Sequence, residues 1–183
     1  SGFFYAKSTL VTALLATAVF AGYTVLILSG QGKAFEVANS SVKSLGTSLG
    51  FGQTEVLAFL AERSVEQITA YIAFNQVWDS LFGVIYGVMY VVWVSLLFKP
   101  YSLKVGLLNL LPFGQVLFDW LENFSLASLS TQYLADGTIA SSTALLASTA
   151  SSIKWVFALL VYGVILVGIV ARIVGALKRR SQR

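Results

Sequence analysis

The chain has 183 residues, of which 57% are hydrophobic and only 11% charged, with a mean hydropathy of +0.80. A soluble domain of this size could not cover so much apolar surface with polar groups, so the composition excludes a soluble globular protein and assigns the chain to lipid. The absence of cysteine and histidine excludes disulfides, thiolate chemistry, histidine-ligated haem and the usual zinc, copper or iron sites, and no cofactor or metal is expected.

A bilayer core requires roughly 20 apolar residues in helical form, and four stretches meet that length: 8–29, 77–98, 105–126 and 153–177. The first is too long for the apolar region of a signal peptide and ends in no small-x-small cleavage pattern, so it reads as a span. Residues 30–76 then lie outside the membrane. Residues 30–52 are rich in Gly and Ser and read as loosely structured. Over 54–75, Val56, Leu57, Leu60, Val65, Ile68 and Ile72 recur at near-helical spacing among Glu55, Glu62, Arg63 and Glu66, which predicts an amphipathic helix opened by Gln53 or Thr54. That helix either lies on the outer surface or runs into the second span as one rod.

The second span carries Asn75, Asp79, Gly83 and Tyr86 along one face, and Gly83-x-x-x-Gly87 offers a close helix approach. In the third, Pro112 removes the bond to the Leu108 carbonyl and predicts a kink. Beyond it, Gln115, Asp119, Glu122 and Asn123 point one way at spacings of three and four. Residues 127–152 read as an outside loop with a turn at Asp136-Gly137 and a short helix after it. Lys154 opens the fourth span, and Ala171-x-x-x-Gly175 offers a second close approach. Trp78, Trp93, Trp120 and Trp155 fall near span ends and read as an interfacial belt. The expected fold is all-α: one domain over 1–183, an integral membrane four-helix bundle with an additional amphipathic helix between spans one and two.

Charge sets the direction. Lys7, Lys99, Lys104, Arg172, Lys178, Arg179, Arg180 and Arg183 fall on one side with no acid among them, whereas all eight Asp and Glu fall on the other side or in its half of the membrane. The positive-inside bias places both termini in the cytoplasm. Because these bases flank apolar runs and do not alternate with aromatics on a polar face, they signal topology and not nucleic acid.

Directions and depths put Asp79, Asp119, Glu122, Asn123 and Lys154 at one height near the outer boundary of the hydrocarbon, with Asn75 and Gln115 on the same faces. A charge within a span costs on the order of 3 kcal/mol, so such groups face the bundle interior and pair. Two outcomes follow: an ion-pair and hydrogen-bond clasp joining spans two, three and four, or a site whose excess acid awaits a proton or a cation. Phe51-Gly52 before an outside helix, Asp79 with Tyr86, the Leu110-Leu111-Pro112 run, Asp119-x-x-Glu122-Asn123 and Lys154 together resemble an uncharacterised bacterial family of small four-span membrane proteins, over residues 51 to the end. The resemblance implies a bacterial inner membrane and names no activity.

The expected function is a structural or accessory subunit that docks on a larger membrane complex or on itself. The alternative is a cation- or proton-linked transporter or sensor using the outer-half cluster. An enzyme is not expected, because no nucleophile or oxyanion motif accompanies the carboxylates.

Overall fold

The computed structural model describes residues 1–101 and 105–181; Lys104 and Arg183 lie outside the described residues. All regular structure among them is helical. A short helix α1 (Gly2–Lys7) is followed by α2, which runs Leu10–Lys33. Then come α3 (Gln53–Ala61), α4 (Val65–Tyr101), α5 (Leu111–Asp136) and α6 (Ser141–Ser181). Three of these, α2, α4 and α6, are long and apolar enough to cross a membrane. The α5 helix packs chiefly against α6 and α4 and holds its polar residues Gln115, Asp119, Glu122 and Asn123 buried.

Several boundaries differ from those read in the sequence, each for a physical reason. The amphipathic stretch 54–75 is two helices. The α3 helix ends at Ala61, and Ser64 caps a new one by accepting the Gln67 amide, while Gln67 returns a bond to the Ser64 amide. The second piece continues directly into the apolar run as α4. Pro112 does not kink a span: it stands in the first turn of α5, where its missing N–H had no helical partner to lose.

The outside loop expected over 127–152 is mostly helix, with α5 ending at Asp136 and α6 starting at Ser141. One face of its Ser and Ala residues is used for packing, while Ser128, Ser141, Ser142 and Thr149 stay exposed. Ala144, Ala147, Ser151, Lys154, Ala158 and Val161 are buried at alternating spacings of three and four, so small side chains let α6 lie close along α5. Ser130 and Thr131 return their hydroxyls to the carbonyls of Leu126 and Ala127, at 2.8 and 2.9 Å. Gly137, with φ of 67°, closes α5 in the left-handed conformation that the Asp136-Gly137 pair foreshadows.

Residues 34–52 have little regular structure, as expected, with a single short helical turn at Leu45–Thr47. Ser29–Lys33 extends α2, and the remainder folds over one end of the helices. Leu45 is buried in a cluster with Val56, Phe59, Leu60, Ile68, Leu126, Leu129, Ile139 and Ala147. This cap shares an apolar core with the ends of α5 and α6. Arg63 lies over the Phe59 ring with its guanidinium carbon 3.4 Å from the centroid and donates to the Phe35 carbonyl at 3.0 Å. Ser151 and Ser152 of α6 donate to the carbonyls of Ser48 and Leu49 at 2.7 and 2.5 Å.

At the opposite end, Asn109 and Tyr5 tie the N-terminal residues to the α4–α5 connection, through the Ser1 and Val105 carbonyls. Lys99 donates to the carbonyl of Ala6 at 3.1 Å, and Arg172 caps the end of α4 through the carbonyls of Leu96 and Leu97. The Ala171-x-x-x-Gly175 pattern brings no neighbour within 4 Å of where a Gly175 side chain would begin. Gly168, by contrast, packs against Leu97 and Phe98.

Candidate functional site

The site grows from two distortions in the helices. In α2 the turn Thr24–Leu28 widens to π geometry, and in α4 the turn Phe74–Asp79 does the same. A π turn breaks the regular ladder and frees carbonyls, which in an apolar setting must find other donors. Side-chain donors gather here: the Asn75 carbonyl accepts the Ser80 hydroxyl at 2.7 Å, that of Trp78 accepts the Tyr23 hydroxyl at 2.8 Å, and, just past the turn, that of Ser80 accepts the Trp120 indole at 2.9 Å. The wide turn in α4 is therefore braced from α2 and α5. It ends at Asp79.

Opposite that turn, α5 and α6 bring the clasp together. Lys154 Nζ lies 3.2 Å from Asp119 Oδ1, pairs closely with Glu122 Oε2 and donates to the Gly46 carbonyl at 3.1 Å. An ammonium has three donors, and these three oxygens occupy them. Glu122 is fully buried, while Lys154 and Asp119 are 7% and 4% exposed. The clasp thus joins α5, α6 and the cap.

A cavity of about 340 Å³ opens beside the clasp. Asn75, Asp79, Gln115, Asp119 and Lys154 all line it, so five of the seven polar residues singled out in the sequence face one space. Glu122 and Asn123 are buried but do not line it. Asn75 donates to the Tyr71 carbonyl at 2.8 Å. Five polar atoms of the wall make no close hydrogen bond among the described residues: the Tyr71 and Tyr86 hydroxyls, Gln115 Oε1, Asp119 Oδ2 and the Trp155 indole N–H, with Tyr86 and Asp119 within reach of each other. All but that of the half-buried Trp155 belong to residues at least nine-tenths buried. Buried polar groups normally find partners, so such orphans mark a place where something else supplies them.

The rest of the wall is aromatic: Phe20, Phe35, Phe74, Phe82, Tyr90, Trp155 and Tyr162. Phe35 meets Tyr71 and Phe74 edge-on, with centroids 4.9 and 5.0 Å apart, and the cap contributes Ser44, Gly46 and Thr47. Sequence reasoning missed these aromatics, because they come from α2, the cap, α4 and α6 and share no spacing. Trp155, read as part of an interfacial belt, also lines the cavity, with Lys154 Nζ 5.7 Å from its ring centroid.

No protein-family model, curated protein or solved structure matches this chain. The chemistry of the site must speak for itself. Among the described residues no three Asp or Glu side chains stand close enough together to hold a metal ion. What the cavity offers is two carboxylates, the Gln115 carbonyl oxygen, tyrosine hydroxyls, one indole N–H and aromatic faces. The one cation present is already saturated by the clasp.

Proposed function

We propose that this protein is a four-span membrane protein that binds an organic cation, a protonated amine, in the outer half of its helix bundle. In this reading α5 is the fourth span, tolerated in lipid because its polar face is turned inward. The bases Lys7, Lys99, Arg172, Lys178 and Arg179 lie at the end opposite the cap, and the positive-inside bias puts that end and both termini in the cytoplasm. A bacterial inner membrane and membership of the small four-span family that the D-x-x-E-N run resembles belong to the same proposal.

One observation carries the functional reading: unpartnered oxygens and the carboxylates of Asp79 and Asp119 share a cavity with aromatic faces. Acceptors call for a donor, acids for a positive charge, and aromatic faces attract an ammonium over their negative π clouds. An anionic ligand would meet two carboxylates and find no free donor on Lys154. The cavity is of the size that encloses small ligands, for which about 300–1,000 Å³ is usual. This favours the cation-linked alternative over an accessory role, since the exposed apolar faces of α2 and α6 serve lipid as well as a partner subunit.

The test is thermal stability in detergent with n-butylamine hydrochloride as probe. A ligand that binds only the folded state raises the midpoint saturably. The wild-type protein should respond to butylammonium and not to equal sodium chloride, and Asp79→Asn should abolish the response. An equal effect of sodium chloride, or none from butylammonium, would overturn the proposal.

A further inference from the structure

A second opening adjoins the first. Between α2, α4 and α6 lies an apolar groove of about 460 Å³, lined by Thr17, Met89, Trp93, Ile165 and Ile169 among others. Its one polar side chain on α2 is already engaged, since Thr17 accepts the Trp93 indole at 2.9 Å. The groove and the polar cavity share Phe20, Tyr90 and Tyr162 as common wall. Tyr90 donates to the Tyr162 hydroxyl at 3.2 Å, so this pair bridges α4 and α6 where the two spaces meet. Tyr162 and Ile169 remain 45% and 39% exposed, which leaves the groove open sideways, toward lipid in the proposed topology.

We infer that the ligand is a single-chain cationic amphiphile: its primary ammonium sits among Asp79, Asp119 and Gln115, and its hydrocarbon chain passes Tyr90 and Tyr162 into the groove. This rests on the amine-binding reading above and deepens it. The unpartnered acceptors in the cavity select a head that donates several hydrogen bonds, which a primary ammonium does and a quaternary one cannot. A phosphate would face the carboxylates of Asp79 and Asp119 with the one lysine already saturated, and the neutral Trp155 and tyrosine donors do not offset that repulsion, which sets aside ordinary phospholipid heads. From Lys154 to Ile169 along α6 is about 22 Å at the helical rise, so the groove runs away from the acids along the length of the bundle and suits an extended chain. Lateral access matters because lipid tails are as apolar as the groove and its occupancy gains little from hydrophobicity alone. The head supplies the selectivity, and the groove accommodates the chain the head brings with it.

The experiment is photolabelling in nanodiscs with a hexadecyl primary amine carrying a diazirine in its chain, followed by peptide mapping. Labelling should concentrate on Met89, Trp93, Ile165 and Ile169. It should be lost when unlabelled hexadecylamine or excess butylamine is added, but not when hexadecanol is added. Ile169→Trp, which fills the groove, should remove the labelling there. Labelling spread over lipid-facing residues such as Leu15, Leu159 and Val170 would overturn the inference. So would competition by hexadecanol equal to that of the amine, which would mark the groove as a generic acyl-chain site. If butylammonium still stabilises the protein while groove labelling fails, only the chain assignment falls; if butylammonium has no effect either, the amine-binding reading falls with it.

Discussion

A side chain on Gly83 would begin 2.9 Å from Asp119 Oδ2 and 3.3 Å from the Trp120 indole nitrogen, so the absence of a Cβ at Gly83 on α4 is what admits the free oxygen of Asp119 on α5. The other oxygen of that carboxylate is taken by Lys154. One residue thus divides its two oxygens between a structural clasp and an open cavity, and the Gly83-x-x-x-Gly87 pattern serves this contact, with Gly87 facing Val116 one turn on.

Gly83→Ala should therefore destabilise the protein. Overpacking a tight contact costs about 1–3 kcal/mol, and alanine returns at most about 1 kcal/mol through its better helix propensity. Gly163, in the same kind of helical setting, has nothing within 4 Å of its virtual Cβ. Gly163→Ala should be neutral or stabilise by about 0.4–1 kcal/mol. Thermal melts of the two variants side by side check the contrast, and equal effects would remove the close contact from the explanation.

Lys154→Met should strand the carboxylates of Asp119 and Glu122 in a buried setting, with a loss of about 3–5 kcal/mol. Adding Asp119→Asn and Glu122→Gln should recover part of it, because replacing a buried ion pair outright costs less than breaking it. A mutant cycle in detergent should show a non-additive term of about 0.5–3 kcal/mol. Simple additivity would mean that the three residues do not act as one unit.

Ser64→Ala should remove the cap that starts α4 beside the cluster around Leu45 and Phe59. The Ser64 side chain accepts the Gln67 amide at 3.3 Å and the Gln67 side chain accepts the Ser64 amide at 3.0 Å. Losing such a cap costs about 0.5–2 kcal/mol, whereas glycine in its place costs only a few tenths. Denaturation of Ser64→Ala and Ser64→Gly would show whether that order holds.

Topology can be read directly. A reporter fused after Arg183 should report cytoplasm, and one inserted at Gly137, exposed in the short connection between α5 and α6, should report the outside, because only that orientation keeps the flanking bases inside. Opposite readings would reverse the model of the membrane and place the cavity at the cytoplasmic face.

Membrane character and all-helical structure follow from the amino-acid sequence by itself, since an apolar composition of this degree demands lipid and lipid demands that backbone groups be satisfied within the chain. The sequence also determined which residues share a helix face: Gln115, Asp119 and Glu122 on α5 lie at helical spacing, and all three are buried together. Only the tertiary structure decided how that face was used. Whether Asp119 forms a clasp or lines a site depends on where Gly83 lets α4 approach, and it does both. The Ser and Thr residues of 127–152 suit a loop as well as a helix, and it is the packing of the end of α5 and the start of α6 on each other that makes them helical. The aromatic wall and the cap over it are assembled from α2, α4, α6 and a Gly/Ser-rich segment, whose residues have no common period. Local spacing reports which way a side chain leaves its own helix, whereas a cavity is a property of what several helices leave unfilled between them.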